Sequence, residues 1–484
     1  MVSQLPPSFL ANPTLNQEGA IGEVSGNESE KVHPWTQEAL KEAVGLRLGM
    51  VPATPEAERL VETLTARCLE QEGAGRKTKR RAIGTGKLRR AVGAIVGNVL
   101  TRWLHRNPVA VFQTHSKEAF TGELVGYAQY VAAEKALLAL NLMETKKGVS
   151  YPRRDGLSDV PAFDRHAARI RPAPPLLDLA ANHGLGPENI GFAFRTEYPK
   201  APVQVPERNL VVVREVLDFH TKRARVSAQR LPDVEALPIF QPIRQEVADA
   251  NSMAAAHAFE GCRPPSWARV FTREVHFNGR WQAKGASYQI MRKSERAAIR
   301  IDSEPVVELD IRASYLTILA ALAGAPMPPG DPYQAEGIPS RDVVKHWVHV
   351  TQGNGRTPRW WSAETRKERP DVARWPVKEV QRAVVARMPF LADPAAPYIL
   401  EAAGMEDFVG TDIAPRLLSL RLMGIEAEAM TLAMRTLRAV GVVALPVHDS
   451  LIVPRSAAVV ARDAIQEACE ATYGAVPVVT GLPE

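Results

Sequence analysis

The sequence predicts an α+β chain organised around an antiparallel sheet, and three observations in its second half predict it. "RVFTREVHFNGRWQ" (269–282) and "PVVELDI" (305–311) concentrate the β-branched and aromatic residues that favour strands. "VVALPVHDSLIVP" (442–454) reads as strand, turn, strand. Between these runs lie helical patterns of uneven length, and strands split by helical insertions suit a mixed α+β layout rather than a regular α/β alternation.

Taken in order, the chain opens on a polar stretch, residues 1–34, expected to be a disordered tail. Residues 35–175 are expected to be mostly helical. "TQEALKEAVGLRLG", "TPEAERLVETLTARCLEQE", "LRRAVGAIVGNVLTRWLHR" and the long Ala- and Leu-rich run "TGELVGYAQYVAAEKALLALNLMET" (121–145) all have helical spacing. Thr-Pro-Glu at 54–56 suits a helix start, with proline in the first turn. Proline-rich chain near 150–175 marks a boundary, and 176–264 mixes short helices with Pro-containing connections. In 265–320 the first strands run at once into the helical "LTILAALAG" (316–324), and the helix "RDVVKHWVHVTQ" and a Trp-, Arg- and Pro-rich insert follow within 321–400. The last segment, 401–484, holds the long helix "RLMGIEAEAMTLAMRTLRAVG", the strand–turn–strand and a final helix "AARDAIQEACEATYG".

Composition narrows the class. With 484 residues, 45% apolar and 24% charged, the chain is long enough for two or three structural units. No run approaches the roughly 18 apolar residues of a membrane span, and no basic segment leads into an apolar one at the N-terminus. Cys68, Cys262 and Cys469 lie far apart, which argues against a disulfide framework or zinc ribbon and for a cytoplasmic setting. Sixty Lys and Arg against 54 Asp and Glu give a net charge of +6. The excess gathers in "GRKTKRRAIGTGKLRR" (75–90), where Arg76, Lys77, Lys79, Arg80, Arg81, Lys87, Arg89 and Arg90 crowd together without an acid. Such a segment is either a solvated loop or an arm for nucleic-acid phosphates.

The chemistry-bearing residues form three clusters. Asp310 falls in an otherwise apolar strand, where a buried carboxylate is costly unless a cation meets it. Asp449 lies at or near the turn of the strand–turn–strand, and alone it could be a turn former. Two such acids at one end of a sheet would raise each other's pKa unless divalent ions held them ionised, and Mg²⁺ prefers such oxygen ligands. On the helix from 341, Arg341, Lys345 and His349 recur every fourth residue and so share a face, while Val344, Trp347, Val348 and Thr351 lie mainly on the other. That face is either a basic surface stripe or a row of cations for a triphosphate.

In this pattern the second half resembles the palm and fingers of family A DNA polymerases, which share a fold with single-subunit phage RNA polymerases. "DIRASYLTILAALA" (310–323) resembles the family's first motif. "RDVVKHWVHVTQGNG" resembles its fingers helix, and "VHDSLIVP" (447–454) its last palm motif. "MGIEAEAMTLAM" (423–434) resembles the helix before that motif, and "FNGRWQAKGASYQIM" (277–291) a stretch that contacts the duplex minor groove. The resemblance spans roughly 265–484. It implies a right-hand architecture with an antiparallel palm sheet, helical fingers, a thumb at 176–264 and a mostly helical N-terminal region. It further implies two Mg²⁺ ions, for which Mn²⁺ can substitute, held by Asp310 and Asp449 with the carbonyl of Ile311 as a further ligand. Arg341 and Lys345 would bind the incoming triphosphate, His448 would lie near the primer terminus, and Arg280 and Gln289 would touch the duplex. The implied partners are primer–template DNA, dNTPs and replication accessory factors, with a monomeric enzyme in a phage or mobile-element setting.

The chain departs from the family's pattern at several positions. Tyr315 stands where the first motif has glutamate, and a ring there would clash with a ribose 2′-OH, favouring dNTPs. His349 replaces the fingers phenylalanine, and Gly353-Asn354 replace its Tyr-Gly. Met423 replaces a polar duplex contact, leaving Glu426 or Glu428 for that role. No Asp-x-Glu exonuclease signature stands upstream, so no proofreading is expected. Two other readings stay open: a primase-like or RNA-synthesising polymerase that starts chains de novo, and a catalytically silent nucleic-acid-binding factor. A half metal site at His346 and His349 has the spacing but no visible partner ligands.

Overall fold

The computed structural model describes residues 35–482, apart from 36–39, 41, 74–80, 105–108, 147, 149, 154–161, 166, 216–229 and 286. The expected tail at 1–34 and the basic residues Arg76, Lys77, Lys79 and Arg80 lie outside the described residues.

The N-terminal part is built on three helices, α1 (Pro55–Gly73), α2 (Ala82–Trp103) and α3 (Tyr127–Ala139). Ala91 to Leu100 of α2 are buried all round, so α2 is the core helix and the other two pack on it. This part is less helical than the sequence predicts. Short strands β1 (Val44–Gly45), β3 (Val111–Gln113), β4 (Met143–Lys146) and β7 (Ala168–Pro172) form a sheet in the order β1-β3-β7-β4. β2 (Met50–Pro52) pairs with β8 (Phe194–Thr196), and β5 (Ser150–Arg153) with β6 (Ala162–Arg165). Of the segment read as a helix at 36–49, Leu40 and Glu42 are helical and Val44–Gly45 form β1, while Leu46, Leu48 and Met50 enter the N-terminal core. The run 121–145 is helical only over α3, then turns at Asn141 (φ 55°) into β4.

The C-terminal part surrounds an antiparallel sheet in the order β10-β13-β14-β16-β15: β10 (Phe259–Glu260), β13 (Arg300–Ile301), β14 (Glu304–Ile311), β16 (Ser450–Pro454) and β15 (Leu445–Val447). β17 (Val479–Thr480) also pairs with β14. A second sheet joins β9 (Val211–Arg214), β11 (Trp267–Thr272) and β12 (Glu274–Ala283). The segment 176–264, expected as one thumb-like unit, is divided. Leu176, Leu185, Ile190 and Phe194 belong to the N-terminal core, whereas Leu210 and Val247 of helix α4 (Gln241–Ala255) belong to the sheet core.

Helices that matter for the site are α5 (Lys293–Arg296), α6 (Ser314–Leu322), α7 (Arg341–Asn354), α8 (Val377–Arg387), α9 (Ala414–Ala439) and α10 (Ala458–Tyr473). α9 lies across both β12 and α10. A Cβ on Gly424 would stand 2.1 Å from the carbonyl oxygen of His276, so glycine is what lets α9 approach β12 so closely. The two parts are joined by a buried ion pair, Arg263 Nη1 to Glu123 Oε1 at 2.9 Å. No helix among the described residues is long and apolar enough to cross a membrane.

Candidate active site

Strand pairing brings the two aspartates together. In the register of β14 on β16, Asp310 stands opposite Ser450, the residue after Asp449. His448 and Asp449 form the turn between β15 and β16, and the backbone N–H of Ile311 donates to the Asp449 carbonyl at 3.2 Å. Two non-glycine residues beside these acids occupy the left-handed region, Ala313 (φ 55°) and His448 (φ 55°). Each such residue costs roughly 1–2 kcal/mol, and strain of this kind concentrates at functional sites. The Ala313 turn swings the chain straight from β14 into α6.

Packing fixes the turn from behind. Trp267 Nε1 donates to the Tyr288 hydroxyl at 2.9 Å, and that hydroxyl donates to the carbonyl of Pro446 in β15 at 2.9 Å. The amide of Gln289 donates to the same carbonyl at 2.8 Å and lies 3.1 Å from that of Trp281, while its oxygen accepts from the N–H of Ala283. Gln289 therefore ties β12 to β15, and its polar atoms are spent inside the protein rather than on a duplex.

Four acids gather at this end of the sheet, and they are treated differently. Glu308, on the same face of β14 as Asp310, receives Arg296 Nε at 2.9 Å and Nη2 at 2.7 Å, a two-pronged pair. Glu426 of α9 is 2% exposed; Arg280 Nη2 donates to it at 2.7 Å and the Ser314 hydroxyl at 2.8 Å. Among the described residues, the Lys or Arg nitrogen within 4.0 Å of the Asp310 carboxylate is that of Lys293, 3.6 Å away and largely exposed. Asp449 has no Lys or Arg nitrogen within 4.0 Å among the described residues. Burial, then the charges of Glu426 and Asp310, push the Asp449 carboxyl up to about 7. Burial also raises Asp310, against the opposing pull of Lys293.

Arg280 also reaches Tyr315: its Nη2 lies 2.5 Å from the phenol oxygen. The guanidinium expected on a duplex is thus engaged by Glu426 and Tyr315. Glu426 is locked away by the same pair, and Glu428 remains exposed on α9. Tyr315 is half-buried beside the acids, and burial raises its phenol pKa. Ile311 is buried at the end of β14, opposite Val479.

The expected stripe on α7 is real as geometry. Val343, Val344, Trp347, Val348 and Thr351 are buried, while Arg341 and His349 are exposed and Lys345 is half-buried. All three stripe residues converge on one ring that the sequence reading missed, Tyr333. The Arg341 guanidinium lies 5.0 Å from its centroid and the Lys345 ammonium 5.8 Å, and the His349 ring meets it edge-on at 6.1 Å. Arg341 also pairs with Asp331 at 2.6 Å. The Tyr333 phenol feels the charges of Arg341, Asp331 and Asp449, so this ring lies within electrostatic reach of both the basic stripe and Asp449. Its only sequence signal is the turn-like "GDPYQ". His346 of the same helix lies within 3.0 Å of the Thr365 hydroxyl.

Of the basic segment, Arg81 is exposed just before α2. Arg89 pairs with Glu58 at 2.6 Å and Arg90 with Glu197 at 2.6 Å, so both serve the N-terminal fold. Among the described residues no three His, Cys, Asp or Glu side chains come together as a ready-made metal cage.

No family model matches the chain, and no curated protein matches it. Among solved structures it aligns with the POL domain of Pol1 from M. smegmatis, in complex with DNA primer-template and dNTP. The identity is 12% and the TM-score 0.32, over 92% of this chain and 68% of that chain. That overlap is too low to carry any feature of the neighbour across, and the reading below rests on this chain's own residues.

Proposed function

We propose that the chain is a template-directed DNA polymerase that adds dNTPs to a primer 3′-OH. The observation that carries the reading is the pair Asp310 and Asp449 at adjacent strand ends, Asp449 without a Lys or Arg nitrogen within 4.0 Å among the described residues and Asp310 with the exposed Lys293 at 3.6 Å, near the Arg341, Lys345 and His349 face of α7 through Tyr333. The donor set fits Mg²⁺: two carboxylates, no thiolate or imidazole cage among the described residues, and an Asp449 carboxyl raised by burial and by the charges of Glu426 and Asp310. Asp310 and Asp449 would hold the ions, with the Ile311 carbonyl beside them. Mg²⁺ held there by Asp310 and Asp449 would supply activation of the attacking hydroxyl and charge stabilisation of the leaving pyrophosphate.

The chain's own groups do the rest. Arg341 offers forked donors and Lys345 a point charge to the triphosphate, and Tyr333 holds both on the cleft side of α7. Tyr315 closes the space that a ribose 2′-OH would need, and the Arg280 contact fixes its hydroxyl. His448, on the strained turn, would lie near the primer terminus. In this reading the antiparallel sheet is the palm and α7 belongs to the fingers.

Primer extension with Mg²⁺ on a primed DNA template tests it, with dNTPs and rNTPs in parallel and Asp449→Ala as the blank. Extension with dNTPs alone, lost in the variant by roughly a thousandfold or more, is the expected result. Products without a primer or from rNTPs would favour a primase-like enzyme. Duplex binding without any extension would leave a silent binding factor and overturn the proposal.

A further inference from the structure

The junction between the two parts gathers more positive charge than its own acids neutralise. Arg47 precedes β2 and is held on α2: its N–H donates to Asn98 Oδ1 at 2.9 Å, and Asn98 Nδ2 lies 2.8 Å from the Arg47 carbonyl. Asn98 is 2% exposed, so this clamp is buried. Arg102 follows Asn98 by four residues, hence on the same face of α2 and one turn along.

From the other side, α5 presents Arg292, Lys293 and Glu295. Glu295 accepts from Arg47, and its second oxygen accepts from the backbone N–H of Arg292 at 3.2 Å. Burial first, then the charges of Arg47 and Arg292, hold the half-buried Arg102 guanidinium below its ordinary value; Glu295 is the acid that opposes them. One carboxylate thus stands against three guanidinium groups, and no acid is paired with Arg102 or with the exposed Arg292 among the described residues. The next residue, Lys293, reaches Asp310 at 3.6 Å. The half-buried Tyr198 phenol, raised mainly by burial, feels the charges of Arg47 and Glu295 as well.

Guanidinium groups held close together are unfavourable unless a polyanion meets them, and arginine fits phosphate with paired donors. An isolated small anion would account for the excess charge but not for its continuity: the cations run from α2 across α5 to the aspartate at the strand end. We propose that Arg102 and Arg292, with Arg47 beside them, form a phosphate-binding track for the backbone of the nucleic-acid strand that enters the Asp310–Asp449 site. The proposal rests on the polymerase reading for the direction of the strand. It makes the N-terminal part a component of the nucleic-acid path rather than an appendage.

The test measures binding apart from catalysis. Fluorescence anisotropy of labelled primer–template DNA over a salt series gives the slope of log affinity against log salt for the full chain, Arg292→Gln, Arg102→Gln and the double variant. Each lost phosphate contact lowers the slope by about one, so the double variant is expected to lose about two and the single variants about one each. Arg292 is exposed, so its variant keeps the fold even if the half-buried Arg102 does not tolerate change. The KM for dNTP in primer extension is expected to stay unchanged. An unchanged slope in folded variants overturns the track. So does a raised KM for dNTP at unchanged slope, which would assign these arginines to the free triphosphate. A lowered slope in a chain that extends no primer would keep the track and remove the polymerase reading, and extension with unchanged slopes would do the reverse.

Discussion

Glu308 and Asp310 lie two residues apart on one face of one strand, and the protein treats them in opposite ways. Arg296 meets Glu308 with two hydrogen bonds, and the Ser450 hydroxyl lies 3.3 Å from it. Asp310 is left with a long contact to an exposed lysine. The same contrast recurs across the cleft, where Glu426 has Arg280 and Ser314 while Asp449 has no cation of its own among the described residues. An acid in a sheet is therefore not itself a functional signal. What separates a structural carboxylate from one kept for an external cation is whether the fold supplies the counter-charge.

The largest expected effect breaks the structural pair. Arg296→Met leaves Glu308 buried and unpaired, and should cost about 3–5 kcal/mol in urea unfolding. If that variant were as stable as the parent, Glu308 would not be the neutralised member of the comparison.

A smaller effect comes from pH. The folded Asp449 carboxyl is raised from 3.8 to about 7, so it favours folding while protonated. That contribution is complete below about pH 4 and is lost as pH rises through 7. Without Mg²⁺, unfolding free energy should fall between pH 5 and pH 8 by about 2 kcal/mol more in the parent than in Asp449→Asn, a value reduced because solvent still reaches the carboxyl. Parallel pH profiles would contradict it.

The mildest expected change sharpens the other wall of the cleft. Arg341→Ala should raise the KM for dNTP about tenfold, the worth of one charge-assisted hydrogen bond. The loss is limited because Arg341 already has Asp331 as a partner in the unliganded chain. A steady-state titration of dNTP measures it, and an unchanged KM would remove Arg341 from the nucleotide site.

Much of the site was legible because it depends on local pattern. Asp310 is anomalous within its strand, Asp449 sits at a turn between apolar runs, and the four-residue repeat of Arg341, Lys345 and His349 needs only helical geometry. What was not legible depends on partners distant in the chain. Arg280 reads as a free cation until α9 brings Glu426 against it, and Gln289 reads as a free amide until β15 presents the Pro446 carbonyl. Tyr333 gains its place only when its loop folds onto α7. The N-terminal sheet escaped because strands of two to five residues are too short to display a period.

The central claim is that Asp449 has no Lys or Arg nitrogen within 4.0 Å among the described residues, and Asp310 just a long contact to an exposed lysine, because a divalent ion supplies the missing charge. Thermal unfolding at pH 8 with and without millimolar Mg²⁺, for the parent chain and Asp449→Asn, tests that most directly. Mg²⁺ should raise the Tm of the parent, since it binds the folded state alone, and leave that of the variant unchanged. Equal shifts in both, or none in the parent, would contradict the account.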